Sequence, residues 1–210
     1  MGPYSIYDYL TFIFPGATVL LVTEYGWFGW RWHDPGGTAL VGILAAAFVV
    51  GNVIAGISTW IEPVFFHGRP GSNPDGLWGQ FGRNDRHASQ RDAIEALFHA
   101  RYGSNNLANG YALARTEVRN SALHGEGLKT LNQQIGFYRG MTVAALAAAI
   151  LEIAFAIGWH THLFPGVWIP VLLGSFLVFL YRYRRFWRWY GDYVIRVIQL
   201  LQAAPPRPSP

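Results

Sequence analysis

Gly140-Met-Thr-Val-Ala-Ala-Leu-Ala-Ala-Ala-Ile-Leu-Glu-Ile-Ala-Phe-Ala-Ile-Gly-Trp159 decides the class of the fold, because a single charged side chain, Glu152, interrupts its apolar run. A helix of about 20 residues rises about 30 Å, the thickness of the hydrocarbon core of a bilayer. Working outward, three further stretches meet the same requirement: Tyr9 to Trp27, Thr38 to Trp60 and Leu163 to Tyr181. Pro15-Gly16 and Pro170 interrupt the first and last of these. In lipid they predict kinks rather than ends, since neighbouring helices satisfy the freed carbonyls. The composition agrees. Of 210 residues 51% are hydrophobic, 16% aromatic and only 13% charged, whereas a soluble domain carries about 25% charge. The mean hydropathy is only mildly positive, so part of the chain must lie in water. Cysteine is absent, which excludes disulfides, thiolate metal sites and a cysteine nucleophile. The first nine residues hold no Lys or Arg and no small-residue cleavage pattern follows, so the first apolar segment is expected to be retained.

The cationic residues give the sidedness, since cytoplasmic flanks of membrane helices hold the excess of Lys and Arg. Of 16 such residues, nine lie between Ile61 and Arg139, six follow Leu180, and only Arg31 lies between the first two stretches. Segment 61–139 and both termini are therefore expected on the cytoplasmic side of the inner (cell) membrane, with four crossings. Trp27, Trp30, Trp32, Trp159 and Trp168 then gather at one interface and Trp60, Trp187 and Trp189 at the other, as an aromatic belt requires.

Within 61–139, Glu62 to His87 is rich in Gly and Pro and reads as irregular connection. Helices follow. Ser89 with Asp92 resembles a capping box, Ile94, Leu97, Phe98 and Tyr102 fall at helical spacing, and Gly103 suits a helix stop. Leu107, Tyr111, Ala114, Val118 and Ala122 predict a second helix ending near Gly125. Leu128, Leu131, Ile135 and Tyr138 predict a third, continuous with the third span. The expected fold is an all-α membrane protein: a transmembrane hairpin over 1–60, a cytoplasmic loop and helical domain over 61–139, and a second hairpin over 140–181. A basic-aromatic cytoplasmic helix over 182–202 and a disordered Pro-rich tail over 203–210 complete it.

Glu152 shares a helix face with Ala145, Ala148, Ala149 and Ala156, and an ionisable group at such depth is a functional candidate by default. Glu24 falls at about 22 Å from the inner interface and Glu152 at about 18 Å, by a rise of about 1.5 Å per residue. With Asn52 they are the candidate pore-lining or intramembrane polar groups, and a ring of carboxylates in an oligomer favours cations. A protonated Glu152 that merely joins helices is the competing reading. Gly42, Ala45 and Gly56 recur with Val49 and Asn52 at alternating three and four residues and form a small face for helix packing, against this chain or a second copy.

Arginine exceeds lysine 15 to one. Arg83, Arg86, Arg91, Arg101, Arg115 and Arg119 are the candidate anionic-ligand residues, with Arg115 and Arg119 one turn apart on one face. The planar guanidinium suits a nucleotide, an oligonucleotide or an anionic head group. Ordinary cytoplasmic flanking charge is the bland alternative, most of all for Tyr181 to Tyr190. His160-Thr-His162 lacks accompanying carboxylates or cysteines, so no metal and no cofactor is expected. Nothing matches a phosphate loop, a serine elbow or a zinc-protease helix, which argues against an enzyme. A lipid-active enzyme would need a pocket holding His99 or His124 beside a carboxylate.

The plan of two spans, a helical insertion and two spans resembles the small membrane effectors of bacterial anti-phage defence, as in the channel-forming effectors of Hailong systems. The opening Tyr7-Asp-Tyr-Leu-Thr-Phe-Ile-Phe-Pro-Gly16 resembles the N-termini of small bacterial membrane proteins. The resemblance implies a homo-oligomeric, ion-conducting effector that answers a nucleotide-derived signal, and it carries no functional residue across. A non-catalytic membrane anchor recruiting a cytoplasmic protein partner is the expectation from a different class.

Overall fold

The computed structural model describes residues 6–28, 37–65, 91–104, 106–158 and 165–203. Six helices occupy them: α1 (Ile6–Phe28), α2 (Gly37–Phe65), α3 (Arg91–Tyr102), α4 (Leu107–Asn120), α5 (Gly125–Gly158) and α6 (Pro165–Ala203). The fold is all-α. Three helical segments are long and apolar enough to cross a membrane: Ala39–Ile61, Gly125–Gly158 and Val167–Gln202. In α1 the described apolar segment is shorter, Tyr9–Glu24. Of the expected irregular connection over Glu62 to His87, residues 62–65 instead continue α2 as helix and 66–87 lie outside the described residues; of the expected disordered tail over 203–210, Ala203 instead ends α6 and 204–210 lie outside them.

The chain divides into two compact units. The first comprises 1–61 and 133–183 and packs α1, α2, most of α5 and the first half of α6. Its tightest contact needs missing side chains. A Cβ on Gly16 would overlap the Ala47 carbonyl and come within 2.7 Å of the Gly51 nitrogen, and one on Gly51 would overlap the Phe12 carbonyl. The backbones of α1 and α2 thus touch, as small residues permit. Tyr9 and Phe12 pack on Phe48, with ring centroids at 6.2 and 5.8 Å. Gly140 of α5 closes from the other side, where a Cβ would stand 3.1 Å from Pro15 Cγ. Pro15 therefore sits inside a helix without ending it, as expected for the first apolar stretch.

The buried stripe of α2 is Ala47, Gly51, Ile54 and Ser58, spaced by four, three and four. Ile54 packs with Val143 and Ala144 of α5. The predicted small face lies elsewhere: Gly42, Ala45, Asn52 and Gly56 are exposed, and a Cβ on Gly42 or Gly56 would meet nothing within 4 Å. The within-chain contact is not made by that face. The sequence pattern could not tell the two faces apart, because both carry small residues.

The second unit comprises 62–132 and 184–210. Its core is built from Ile94, Leu97 and Phe98 of α3, Tyr111, Ala114 and Val118 of α4, Leu128 of α5 and Val194, Ile195 and Ile198 of α6, all buried. Gly103, at φ 64°, ends α3 with its amide on the His99 carbonyl at 2.9 Å. A left-handed residue at this place is where glycine carries least cost. Asn106 then caps α4, its Oδ1 accepting from the Asn109 amide at 3.4 Å. The predicted second helix stops at Asn120 rather than near Gly125, and residues 122–124 form a turn into α5. There Gly125 fits because a Cβ would stand 2.6 Å from the Arg119 carbonyl. From Gly125, α5 runs unbroken to Gly158, the long helix that Leu128, Leu131 and Ile135 predict.

Candidate functional site

The second unit holds an open cleft of about 580 Å³, within the range of small-ligand sites. Arg115 and Arg119 of α4 line one wall, Glu126, Lys129 and Asn132 of α5 another, and Tyr190 of α6 a third. Three cations therefore face one carboxylate. Arg115 and Tyr190 stand on different helices of this cleft. Burial pushes the pKa of Tyr190 up, and the positive charges of Arg115 and Arg119 act in the opposite sense. Arg119 and Lys129 form no ion pair among the described residues. The arrangement can take an anion, because uncompensated arginines give charge-assisted, bidentate contacts.

Of the arginines singled out by sequence, Arg115 and Arg119 thus meet at one site. Arg101 does something different. Its Nη2 donates to Glu117 Oε1 and its Nε to Glu117 Oε2 at 3.0 Å, while the Tyr102 hydroxyl donates to the same Oε2 at 2.6 Å. Arg101 holds the Glu117 carboxyl below its usual range through that hydrogen bond, and Glu117 in turn raises Arg101. These donors lock α3 to α4 and are committed to Glu117. Arg83 and Arg86 lie outside the described residues, and Arg91 opens α3 with its side chain also outside them. Lys129 and Asn132 carry no role in the sequence reading, and Tyr190 enters it only as the end of the basic-aromatic run Tyr181 to Tyr190. One signal was present: Lys129 is the lone lysine among 16 cationic residues.

In the first unit Glu152 is 3% exposed, and its Oε2 has no hydrogen-bond partner among the described residues. It follows Ala148 and Ala149, which form a buried cluster with Leu172 of α6, and Val22 of α1 packs on that cluster. Ala145 of the predicted face is buried and Ala156 is exposed. Glu24, two residues beyond Val22, is half-buried. Asn52 is exposed and donates to the Phe48 carbonyl of its own helix at 2.8 Å.

His99 does share a pocket, of about 230 Å³, with Glu95 and Ser104. The Ser104 hydroxyl donates to the Asn106 carbonyl at 2.8 Å, and no hydrogen bond joins it to His99 among the described residues. A nucleophile and base in contact, which acyl transfer needs, are not assembled there. No group of three or more metal-ligating side chains occurs among the described residues. No protein-family model, curated protein or solved structure matches the chain.

Proposed function

We propose that the protein is a homo-oligomeric bacterial membrane effector, non-catalytic, whose ion-conducting state is set by an anionic signal bound between Arg115, Arg119 and Lys129. In this reading four helices cross the inner membrane, segment 61–139 and both termini lie in the cytoplasm, and anti-phage defence is the setting the architectural resemblance suggests. One observation carries the reading: the cleft is built on helices that also contain apolar spans. Asn132 and Lys129 stand on α5, which continues to Gly158, and Tyr190 stands on α6, whose apolar part precedes it. A ligand that moves these residues acts on spanning helices without an intermediary. Exposed apolar side chains along α2 and α6, among them Val41, Val49, Val53, Val171, Leu177 and Val178, support burial of these helices against lipid or a second copy.

The direct test is planar-bilayer recording of the purified protein with a nucleotide or oligonucleotide added on the cleft side. A current that depends on the anion and falls in Arg119→Gln supports the reading, and a silent protein that remains monomeric in nanodiscs removes it. An anchor for a cytoplasmic partner is the second reading, favoured by Leu123 and Leu113, 82% and 48% exposed in the second unit. A stoichiometric partner lost on Leu123→Asp, with no conductance, would establish that instead.

A further inference from the structure

We propose that Arg184, Arg185, Arg188 and Trp189 of α6 form a docking surface for anionic phospholipid head groups. This rests on reading α6 as a spanning helix, and is independent of the anion cleft.

Because α6 is one helix from Pro165 to Ala203, residue spacing fixes which side chains share its faces. Phe186, Tyr190, Val194 and Val197, spaced by four, four and three, are buried, whereas Arg184, Arg185, Arg188 and Trp189 are exposed. The cations therefore lie on a face that no described residue covers. What precedes them on the helix names the occupant. Leu177 and Val178 are exposed alkyl groups, and Val178 stands seven residues before Arg185, about 10 Å along the axis. The change from alkyl to cation takes two turns, comparable with the head-group layer of about 5–8 Å on each side of a bilayer. Exposed alkyl groups call for acyl chains, and the layer beyond acyl chains is phosphate.

The arginines are also prepared for that phosphate. Arg184, Arg185 and Arg188 form no ion pair among the described residues. Asp192, one turn further, accepts instead from Arg196 at 2.7 Å. The guanidinium of Arg185 lies over the Trp189 ring at 4.6 Å, and Phe186 of the buried face meets that ring edge-on at 5.1 Å. The buried face thus positions the indole, and the indole positions the cation. Stacking occupies the face of a guanidinium and leaves its N–H edge for an oxyanion. Arg188 falls three residues after Arg185 and four after Arg184, so either pair can grip one phosphodiester. A zwitterionic head group gains less, because its own ammonium repels the arginines. The indole suits the same depth, as the ring type that settles at head-group level.

The test uses the full chain in nanodiscs of equimolar phosphatidylcholine and phosphatidylglycerol, released for native mass spectrometry to count the lipids retained. The wild-type chain should keep phosphatidylglycerol in preference by about tenfold, and Arg184→Gln, Arg185→Gln and Arg188→Gln together should remove the preference. Arg188→Gln alone, at an exposed position that preserves the fold, should lower it about two- to fivefold. Trp189→Leu should lower it about twofold by releasing Arg185, and Trp189→Phe should restore it by returning a ring. Arg115→Gln and Arg119→Gln, in the cleft, should leave it unchanged. Equal retention of the two lipids by the wild-type chain would overturn the proposal. So would a preference that survives Arg188→Gln and the triple variant but disappears in the cleft variants, which would place the lipid in the cleft. Lipid retention is read without current. A chain that keeps phosphatidylglycerol yet never conducts removes the pore reading and supports this one, whereas a conducting chain that retains both lipids equally does the reverse.

Discussion

Glu117 accepts from Arg101 and Tyr102 at once, so its ionised form is what ties α3 to α4. Its folded-state pKa lies below the ordinary 4.5. The contribution is therefore fully present above pH 4.5 and is lost as pH falls through the lower folded value. Hydrogen exchange of 91–120 should rise in that acid range. Glu117→Gln should remove the step and cost about 1 kcal/mol at neutral pH, a figure kept small because both side chains are about a third exposed. Glu152 follows the opposite logic. A buried carboxyl oxygen without a partner destabilises, so Glu152→Met should raise the thermal stability of the detergent-solubilised protein, by about 1 kcal/mol. If Glu152 serves conduction, the same variant should be electrically silent, and a variant that is less stable yet conducts normally would contradict both expectations. The arginines mark the limit of reading residues from sequence. The spacing of four identified Arg115 and Arg119, since it depends on helix geometry alone. That Arg101 differs depends on Glu117, 16 residues away and on another helix. Tyr190 looked like one more ring in a basic-aromatic run, because nothing in that run reveals which face meets α4.

The six helices were largely legible as elements, for their signals are local. Gly103 as the stop of α3 and the apolar spacing through α5 are read directly from neighbours in the chain. Their pairing was not legible. In sequence Pro15-Gly16 predicts a kink, and in the fold Gly16 is the point where the α1 backbone meets Ala47 and Gly51. The sequence shows two small-residue stripes on α2, and only the folded chain shows that Ala47 and Gly51 face α1 while Gly42 and Gly56 do not. This separates two sets of substitutions. Gly51→Ala would drive a methyl group into the Phe12 carbonyl and should destabilise the first unit by about 1–3 kcal/mol, measured as a lower melting temperature in detergent. Gly42→Leu and Gly56→Leu meet open space and should leave that melting temperature nearly unchanged. They should lower the oligomeric mass in nanodiscs if protomers approach through this face. A fall in melting temperature without a change in mass would mean that the stripe packs within the chain after all.

At the scale of the whole molecule, two observations about the same helices converge. Arginine and lysine are concentrated in 61–139 and after Leu180, and the structure separates a unit of mostly apolar helices from one that contains the charged cleft. Neither observation alone fixes the sides of a membrane, since apolar length reports only the capacity to cross. The chain lends itself to a direct measurement because it has no cysteine, so each introduced thiol is the sole reactive one. Ala100→Cys and Pro205→Cys should resist a membrane-impermeant maleimide in intact spheroplasts and react once the membrane is opened. Thr161→Cys, between the third and fourth apolar stretches, should react without opening. Labelling of Ala100→Cys and Pro205→Cys from opposite sides would require an odd number of crossings between them. The cleft on α4 and the basic run after Leu180 would then face different compartments, and a signal bound at Arg115 and Arg119 would have no common side from which to reach α6. Labelling of both from inside leaves α5 and α6 as an even pair of crossings. Only that arrangement allows Lys129 and Tyr190 to line one cleft in the cytoplasm while their helices cross the bilayer.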